Sequence, residues 1–572
     1  MRRLFSWLWQ RLTAERLAVA VFLAVAVGLW WGMPSRPEQV IVFQTDGCEP
    51  ECEFSPDGTL CLVKERRDIG EKLQGNAPKY PWEHRLRVFE VATGQELWRW
   101  DSGQEQVWKA EWTKRNQLLV LLPNAIGRKD GVPAVGRLLG FAPRAGQTPF
   151  FQHEWPASEH SDYLLIAPDG NLVVLVHSPA DATCHIELAD LRTRVVKSFL
   201  HTRGTPEGWF WPFEFSAAWP WQYAEDGTAL LCAQRQYDGM ALLLYDVNSG
   251  RLRQRFRSDS HALRSHPATS YLPFMQSTDL AISPDGRLLA VCHDQQSAHD
   301  TVRVWDLASG QLLATLDGFR PQRLDTEGKP EKWGVGNLLF TPDSSRLCVG
   351  VGRVDYGSGG EGVFGTSELH LFETHTFGRL ASMEGEFPQV SGDSRYVTFI
   401  GKHSAGYDLM VLDVRRERAA PTVLVPEAVV AGFGFLPSGG QSDLHYVRTD
   451  RKIATVPWFQ QVRRWLGLQA PSDSAMELTF RHPDTGHLYD HWTFYGPLGQ
   501  PPIILSPQRD RLLVHFPLGN DWHRLEIYAL PPRRPWVPIV GWALAAAVLV
   551  ELLGLGWRWL RRKPIPVPIS AE

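Results

Sequence analysis

Two groups of side chains have the types and the spacing to do chemistry. The first is the segment HPDTGHLYDH, where three histidines alternate with two aspartates: His482, His487, His491, Asp484 and Asp490. Imidazole and carboxylate groups are ligands of transition metals. A hairpin turn between the first two histidines would let them face each other, but nothing in the spacing makes His491 converge with them. We therefore expect neither a metal site nor a bound cofactor.

The second group is the cysteine pair Cys48 and Cys52 in DGCEPEC, which flanks a turn outside the predicted strands. An oxidising exterior would permit a disulfide between them. Free thiols and a redox-active pair are the alternatives, although the spacing and the missing helix differ from thioredoxin-like sites. Four further cysteines lie in apolar strands, where a small buried side chain is expected: Cys61, Cys232, Cys292 and Cys348.

No catalytic residue is predicted. The chain contains no P-loop, no Gly-x-Ser-x-Gly elbow, no HExxH motif and no paired CxxC motif. The formal net charge is −4, and basic residues concentrate at the chain ends, which leaves a mildly acidic body that would repel phosphate backbones. We therefore predict a protein that is not an enzyme and does not bind nucleic acid.

The elements that must position these side chains repeat along the chain. An apolar strand, a turn of Pro-Asp-Gly type and a second apolar strand recur, as in FSPDGTLCLV from Phe54. The turn aspartates are separated by 112, 57, 59, 58 and 50 residues: Asp57, Asp169, Asp226, Asp285, Asp343 and Asp393. The first gap is about twice the others, and AEWTKRNQLLVLL from Ala110 supplies its missing copy. A repeat of this length, built from strands alone, indicates propeller blades.

A third strand follows most copies, with the pattern apolar-x-apolar-aromatic-acid before a Gly turn. The copy VRVWDLASGQLLATL from Val302 resembles a WD repeat. The other copies resemble the repeat less closely, because Phe or Tyr replaces the tryptophan. Together the copies extend over roughly Val40 to Leu530. The resemblance implies four-stranded blades. The Gly-His dipeptide that opens WD repeats is absent, and part of the family's buried polar network is absent with it.

Nine blade-like units can be counted, of which the last has only three strands of its own. Val40–Thr45 is an isolated strand before the first unit, and we expect it to pair beside Leu525–Leu530 as the missing fourth strand. That closure removes open strand edges. The predicted fold is all-β: a single large β-propeller of eight or nine four-stranded blades, with one transmembrane helix at each terminus.

Two apolar runs flank the body. Residues 17–33 carry no charge and follow an arginine-bearing segment, which favours an uncleaved signal anchor over a signal peptide because no small-x-small cleavage site follows. Residues 536–557 would reach about 33 Å as a helix, enough to cross a hydrocarbon core. Glu551 lies near the end of this run, where water is within reach, so a solvated carboxylate is favoured over a functional one.

The basic residues lie on the terminal side of both runs, so the positive-inside rule places both termini in the cytoplasm and the propeller on the extracytoplasmic side. The predicted organisation has five parts: a cytoplasmic tail (1–16), a signal anchor (17–33), the propeller (38–531), a transmembrane helix (536–557) and a second cytoplasmic tail (558–572).

An amphipathic segment, TVPWFQQVRRWLGL at 455–468, interrupts the eighth unit. Its apolar side chains recur at helical spacing: Trp458, Phe459, Val462, Trp465 and Leu466. One hypothesis inserts Trp458, Phe459, Trp465 and Leu466 into the membrane interface, because chain order would place the segment near the second apolar run. The alternative is that this face caps the propeller.

Propellers present loops on a rigid scaffold, and function resides in those loops. We expect a membrane-anchored scaffold that binds protein partners, and membrane lipid, on the extracytoplasmic side of a bacterial envelope. The alternatives are a propeller enzyme or cofactor-binding protein whose site is assembled from several blades, and an envelope sensor, for which the cytoplasmic tails are short.

Overall fold

The computed structural model describes most of the chain between residues 18 and 561. The described ranges are 18–26, 37–46, 50–68, 82–103, 107–122, 135–156, 163–167, 169–177, 183–203, 222–223, 229–236, 239–258, 280–295, 298–319, 333–357, 360–403, 406–416, 421–425, 430–438, 441–452, 474–495, 503–519, 521–530 and 536–561. The chain divides into two compact units, one formed by the terminal segments Met1–Glu38 and Tyr528–Glu572, the other by Gln39–Ile527.

Among the residues that the structure describes, the terminal unit contains two stretches of helix. Residues 18–26 are helical (α1), and α2 spans Trp536–Arg561. Large apolar side chains of α2 are exposed, including Leu544, Leu549 and Leu553. Across the described residues, no helix meets the combined length and hydropathy expected of a membrane span.

The second unit is all-β, as predicted. Its described strands form nine four-stranded antiparallel sheets. Sheet 1 holds β2 (Glu51–Phe54), β3 (Leu60–Asp68), β4 (Trp82–Glu90) and β5 (Glu96–Asp101); sheet 2 holds β6 (Lys109–Trp112), β7 (Leu118–Leu122), β8 (Val135–Phe141) and β9 (Phe151–Pro156); sheet 3 holds β10 (Tyr163–Ile166), β11 (Leu172–His177), β12 (Thr183–Asp190) and β13 (Val195–Arg203).

The next three sheets follow the same order. Sheet 4 holds β14 (Gln222–Tyr223), β15 (Ala229–Gln236), β16 (Gly239–Asp246) and β17 (Leu252–Ser258); sheet 5 holds β18 (Leu280–Ile282), β19 (Leu288–Gln295), β20 (Ala298–Asp306) and β21 (Leu312–Leu316); sheet 6 holds β22 (Trp333–Phe340), β23 (Arg346–Gly357), β24 (Gly360–Glu373) and β25 (Arg379–Met383).

The last three sheets include the one that joins the two ends of the chain. Sheet 7 holds β26 (Glu386–Val390), β27 (Tyr396–His403), β28 (Gly406–Asp413) and β29 (Thr422–Val425); sheet 8 holds β30 (Val430–Ser438), β31 (Gln441–Lys452), β32 (Ser474–Arg481) and β33 (Leu488–Tyr495); sheet 9 holds β34 (Ile503–Leu505), β35 (Arg511–Gly519), β36 (Trp522–Ala529) and, from the chain start, β1 (Gln39–Gln44).

Position in the sheet explains the residue pattern of each strand. The second strand β7, LLVLL, is buried at every residue because sheets pack on both of its faces. The fourth strand β5, ELWRWD, buries only Trp98 fully and exposes its charged residues. Continuous apolar runs therefore mark inner strands, and mixed runs mark outer ones.

The core is divided into apolar clusters that each lie between two consecutive sheets. One joins sheets 1 and 2, and equivalent clusters follow between each pair up to sheets 7 and 8. A further cluster packs Ile41 and Phe43 of β1 with Phe54 and Cys61 of sheet 1, which places sheet 9 against sheet 1. Sheet 9 meets sheet 8 where Arg509 Nη1 donates to the backbone carbonyl of Phe435 at 2.6 Å. This sequential packing of neighbouring sheets is the arrangement of a β-propeller.

The predicted closure is confirmed. β1 pairs antiparallel with β36, in a register that sets Gln39 opposite Ile527 and Gln44 opposite Trp522. The backbone N–H of Thr45 extends this pairing by donating to the carbonyl of Asp521 at 2.8 Å. The first strand of the chain is thus the fourth strand of the last sheet.

We predict that Phe43→Ala destabilises the protein by about 3–5 kcal/mol, because its side chain is almost fully buried at this closure. The matched control is Val42→Ala on the same strand, where the side chain is 51% exposed and a change within about 0.5 kcal/mol is expected. Denaturant unfolding of the full chain measures both. Equal losses in the two variants would contradict a closure held by the inward face of β1.

Candidate functional site

The turns between first and second strands are built around a buried hydroxyl. In sheet 1, Ser55 donates to Asp57 Oδ1 at 2.7 Å and accepts from the backbone N–H of Leu60 at 2.9 Å. The same arrangement recurs in sheets 5, 6 and 7 on Ser283, Thr341 and Ser391. These hydroxyl groups are fully buried, so each turn satisfies its own polar groups.

Sequence reasoning selected the turn aspartates and missed these hydroxyls. The signal was present as Ser or Thr two residues before the aspartate, in SPDG, TPDS and SGDS. The hydrogen bonds hold the pKa of Asp57 and of Asp343 below the ordinary value, against the opposing effect of burial. These aspartates are therefore structural caps of turns, not candidate catalytic acids.

The turns between third and fourth strands lie at the same edge of the ring. The backbone N–H of Leu307 donates to the carbonyl of Arg287 at 2.8 Å, and Val414 donates in the same way to Arg395. Hydrogen bonds also run between sheets, since the backbone N–H of Asp285 donates to Ser344 Oγ at 3.0 Å. We call this edge, which carries both kinds of turn, the turn edge.

Both ends of the ring's chain lie at the turn edge. β36 is the third strand of sheet 9, so it ends where the other sheets have a turn to the fourth strand. Gln39, at the start of β1, lies beside that end. The third-to-fourth-strand turn of sheet 1 is next to this point, because a Cβ on Gly94, at φ +70°, would clash with the Gln39 side chain.

The long connections leave the opposite edge, which we call the loop edge. They join second to third strands, or one sheet to the next, and all fall between described strands: residues 69–81, 123–134, 204–221, 259–279, 320–332 and 453–473. The hairpin of β23 and β24 is also extended at this edge, with paired residues out to Gly357 and Gly360. Antiparallel order fixes this division, because successive strands end at opposite edges.

The predicted amphipathic insert falls in the connection between β31 and β32. Trp458, Phe459, Trp465 and Leu466 lie outside the described residues, but the connection that contains them joins β31 to β32. β36 ends at the turn edge. The expectation that chain order brings the insert beside residues 536–557 is not tested by the described residues. Membrane contact by the insert stays a prediction.

A buried charge network lies where sheet 9 meets sheet 1. Arg87 bonds Glu65 at 3.2 Å and the backbone carbonyl of Gln44 at 3.1 Å, and its guanidinium lies 5.1 Å from the centre of the Phe43 ring. Arg85 approaches the same Glu65 at 3.6 Å. Burial raises the pKa of Glu65, although the two arginines act in the opposite direction. The network links β1 to sheet 1.

A buried histidine pair lies in sheet 9 beside this network. His515 and His523 are bonded through ring nitrogens 2.9 Å apart, and His523 reaches Thr45 Oγ1 at 3.1 Å. Phe43 stacks on His523 at 5.6 Å. Within the described chain, Nδ1 of His515 has no hydrogen-bond partner, and burial lowers the pKa of His515 to about 4.

The predicted polar cluster does not converge. His482 and His487 are joined by a backbone hydrogen bond of 3.0 Å across a turn, but the His482 ring packs on Tyr489, and Asp490 bonds the indole of Trp492. No group of three metal-ligating side chains occurs among the residues the structure describes. Asp490 is therefore a buried partner of a tryptophan.

Cys52 was expected outside a strand, and this is wrong: it lies in β2, paired with Val63. Burial raises the pKa of its thiol well above the ordinary value. Cys48 lies outside the described residues, so the disulfide stays a prediction. Cys61, Cys292 and Cys348 are buried as expected.

Exposed apolar side chains recur at the start of the fourth strands. In sheets 1, 4, 5, 6 and 8, the pairing of third and fourth strands is interrupted by a bulge beside the turn edge. Eight of the nine described sheets expose an apolar side chain within the first two residues of the outer strand: Val40, Leu97, Val195, Leu252, Leu312, Leu380, Val423 and Leu488. We call this set the outer belt.

These features define an all-β protein of propeller type whose two edges differ in construction. Its described residues hold turn caps, a closing charge network and an outer belt. No protein-family model matches the chain, and no curated protein does.

Solved structures of propeller-type proteins are similar to the chain at low identity. Sqt1 of Saccharomyces cerevisiae is 10% identical over 73% of this chain and 96% of its own, with a TM-score of 0.37. TolB from Acinetobacter baumannii is 11% identical over 62% and 78%, with a TM-score of 0.25. The dihydro-heme d1 dehydrogenase NirN is 15% identical over 82% of each chain, with a TM-score of 0.36. At these values the fold assignment rests on the sheets of this chain.

We predict that stability falls as the pH is lowered from about 6.5 to about 4. Burial lowers the pKa values of His84, His370 and His515 to about 4, so these groups bind protons in the unfolded chain before they do so in the fold. Urea midpoints measured across this range should decrease.

His515→Gln should reduce the size of that pH-dependent decrease, because glutamine keeps a hydrogen-bonding group in place but does not titrate. His375→Gln is the control, since His375 is exposed in a turn. A decrease of the same size in wild type and His515→Gln would show that the histidine pair does not contribute.

Proposed function

We propose that this protein is a nine-bladed, membrane-anchored propeller that binds protein partners at its loop edge, on the extracytoplasmic side. One observation carries the proposal: every long connection leaves the edge opposite to the one where the chain enters and leaves the ring. Anchoring at the turn edge would leave the loop edge free for partners.

The construction of the two edges supports this division of roles. Turn-edge connections are short and bond to themselves and to neighbouring turns, as Asp343 does by donating its backbone N–H to Ser394 Oγ at 2.8 Å. Connections at the loop edge are long and differ from sheet to sheet in length and sequence. Variable loops on a rigid scaffold are the usual carriers of binding specificity.

Membrane attachment is supported by the apolar runs 17–33 and 536–557. The helix α2 exposes Val540, Leu544, Val548, Leu549, Leu552 and Leu553, with the last at 65%. A continuous set of exposed leucines and valines marks a surface that contacts lipid or protein. The basic residues on the terminal side of both runs orient the termini toward the cytoplasm.

A count of nine blades is supported by the closure. Each sheet supplies four strands, and sheet 9 reaches that number only by taking β1. The cluster around Ile41, Phe43 and Leu525 then packs sheet 9 on sheet 1. An eight-bladed ring would leave one described sheet without a place.

Partner binding is tested by shortening loop-edge connections in the full chain. Residues 259–279 and 320–332 would each be replaced by a short Gly-Ser linker, and partners would be cross-linked in cells and identified after solubilisation. We expect partners captured by wild type to be lost from at least one shortened variant while the urea midpoint is unchanged.

The control is a turn-edge variant, Arg251→Gln with Arg287→Gln, which should keep the same partners. Partners lost only from this control would reverse the assignment of edges. A different result would favour the cofactor-binding alternative: the wild-type protein captures no reproducible partner and is purified with a stoichiometric metal or cofactor.

The side of the membrane is tested with a reporter that is active only in the cytoplasm, inserted after Gly328 in a loop-edge connection. We expect it to be silent. The same reporter fused after Glu572 should be active, which controls for expression. Activity after Gly328 would place the ring in the cytoplasm.

A further inference from the structure

We propose that the closure of the ring is sensitive to acid: a proton taken up by the buried pair His515 and His523 releases β1 from sheet 9. This conformational change is independent of membrane anchoring and of partner binding. It is supported by the direction of the hydrogen bonds in the pair, by the charges that face the pair and by the way β1 is held.

The hydrogen bonds of the pair leave one position for a further proton. In the direction that serves each atom, Thr45 Oγ1 donates to the carbonyl of Asp521 at 3.4 Å and accepts from Nε2–H of His523 at 3.1 Å. Nδ1 of His523 then accepts from Nε2–H of His515 at 2.9 Å. Nδ1 of His515 keeps its lone pair and has no hydrogen-bond partner within the described chain. A proton added there becomes a buried donor without an acceptor, which costs free energy.

The pair lies on the face of sheet 9 that packs on sheet 1. Strand alternation places both histidines there with Phe43, and the rest of that face is apolar. The opposing face of sheet 1 carries these titratable or charged side chains: Cys52 of β2, Cys61 and Glu65 of β3, Arg85 and Arg87 of β4, and Glu96, Arg99 and Asp101 of β5.

These groups do not offset a positive charge on the pair. The two thiols are neutral, because burial raises both of their pKa values. Every carboxylate of the set is already paired with an arginine of the set, as is Asp46 after β1. The Phe43 ring stacks on His523 and also lies 5.1 Å from the guanidinium of Arg87. The charge that shares this ring with the pair is therefore a cation.

The strand β1 is held in a way that allows it to leave without its neighbours. In each of the other eight described sheets, the fourth strand follows the third along the chain, whereas β1 comes from the opposite end of the chain. Its hold consists of six residue pairs with β36 and the buried side chains of Ile41 and Phe43. Thr45, which continues this pairing at the loop edge, is bonded directly to His523. Protonation of the pair therefore acts at one end of the strand.

The sign of the pH dependence follows from the two states. In the closed ring, burial lowers the pKa of His515 to about 4. Release of β1 exposes the pair to water, where the pKa of histidine is about 6.5. Between these values the released state binds a proton that the closed state does not. The released population therefore increases as the pH falls, by up to about tenfold per pH unit for one proton.

Native thiols report such an opening at separate places in the full chain. Cys61 is buried between sheets 9 and 1, whereas Cys292 is buried between sheets 5 and 6 and Cys348 between sheets 6 and 7. The probe is 4,4′-dithiodipyridine, which reacts with thiols in acid as well as at neutral pH, and mass spectrometry identifies each labelled cysteine. Labelling rates are measured from about pH 7.5 to about pH 4.5, on either side of the ordinary histidine pKa.

We expect the labelling rate of Cys61, relative to Cys292 and Cys348, to rise about tenfold or more as the pH falls across this range. His515→Gln keeps a hydrogen-bonding group but does not titrate, so it should remove most of the rise. His515→Asn is a second substitution of the same kind. The matched control is His370→Gln, which removes another buried histidine with a pKa of about 4, in sheet 6, and should leave the rise unchanged.

Three results would overturn the proposal. In the first, Cys61 stays as protected as the other two thiols at every pH. In the second, all three thiols are labelled with the same pH dependence, because that result indicates unfolding of the whole ring. In the third, the rise at Cys61 is equal in wild type and in both His515 variants, because another group then opens the closure.

Discussion

The pairing of β1 with β36 is the contact on which the rest of the ring depends. Without it, sheet 9 would have three strands, and the apolar faces of Ile41 and Phe43 would have no place against sheet 1. A ring of sheets gains its stability from interfaces between neighbours, so one open interface exposes two sheet faces at once. The buried Glu65 network strengthens the specificity of this pairing, because an ion pair in the wrong register would leave a buried charge without a partner.

The turn edge shows how a large all-β protein builds most of its turns around buried hydroxyl groups. Each buried hydroxyl serves two groups of its own turn, and some turns donate to the next sheet. This rigidity lets the loop edge vary, since changes in a long connection leave the caps untouched. The two edges therefore arise from the same alternating order of strands. Short hydrogen-bonded turns lie at one edge, and long connections lie at the other.

The repeat spacing of the turn aspartates predicted the sheets well, because a Pro-Asp-Gly turn between apolar strands is local information. The orphan strand Val40–Thr45 was found for the same reason: a strand without a neighbour in sequence must pair at a distance. Cys52 was misplaced because a four-residue strand that begins at Glu51 carries almost no periodic signal. His515 and His523 were missed because their approach depends on strand register, which the sequence does not display.

The outer belt was also beyond sequence reasoning. In the sequence Leu312 and Leu313 form an ordinary apolar pair in a strand, and nothing in it marks either residue as exposed. The bulge beside Trp305 breaks the alternation of the strand. The helical pattern of the insert at 455–468 is clear in the sequence, but its position between β31 and β32 follows only from the strand order of sheet 8.

The closure also sets an order of events during synthesis. Thr45 and its partner Asp521 are separated by 476 residues, and ribosomes add roughly 5–20 residues per second. The strand made first thus waits on the order of 25–95 s for the strand that pairs with it. Throughout that time its edge is open to other chains, which is the situation in which β-strands aggregate.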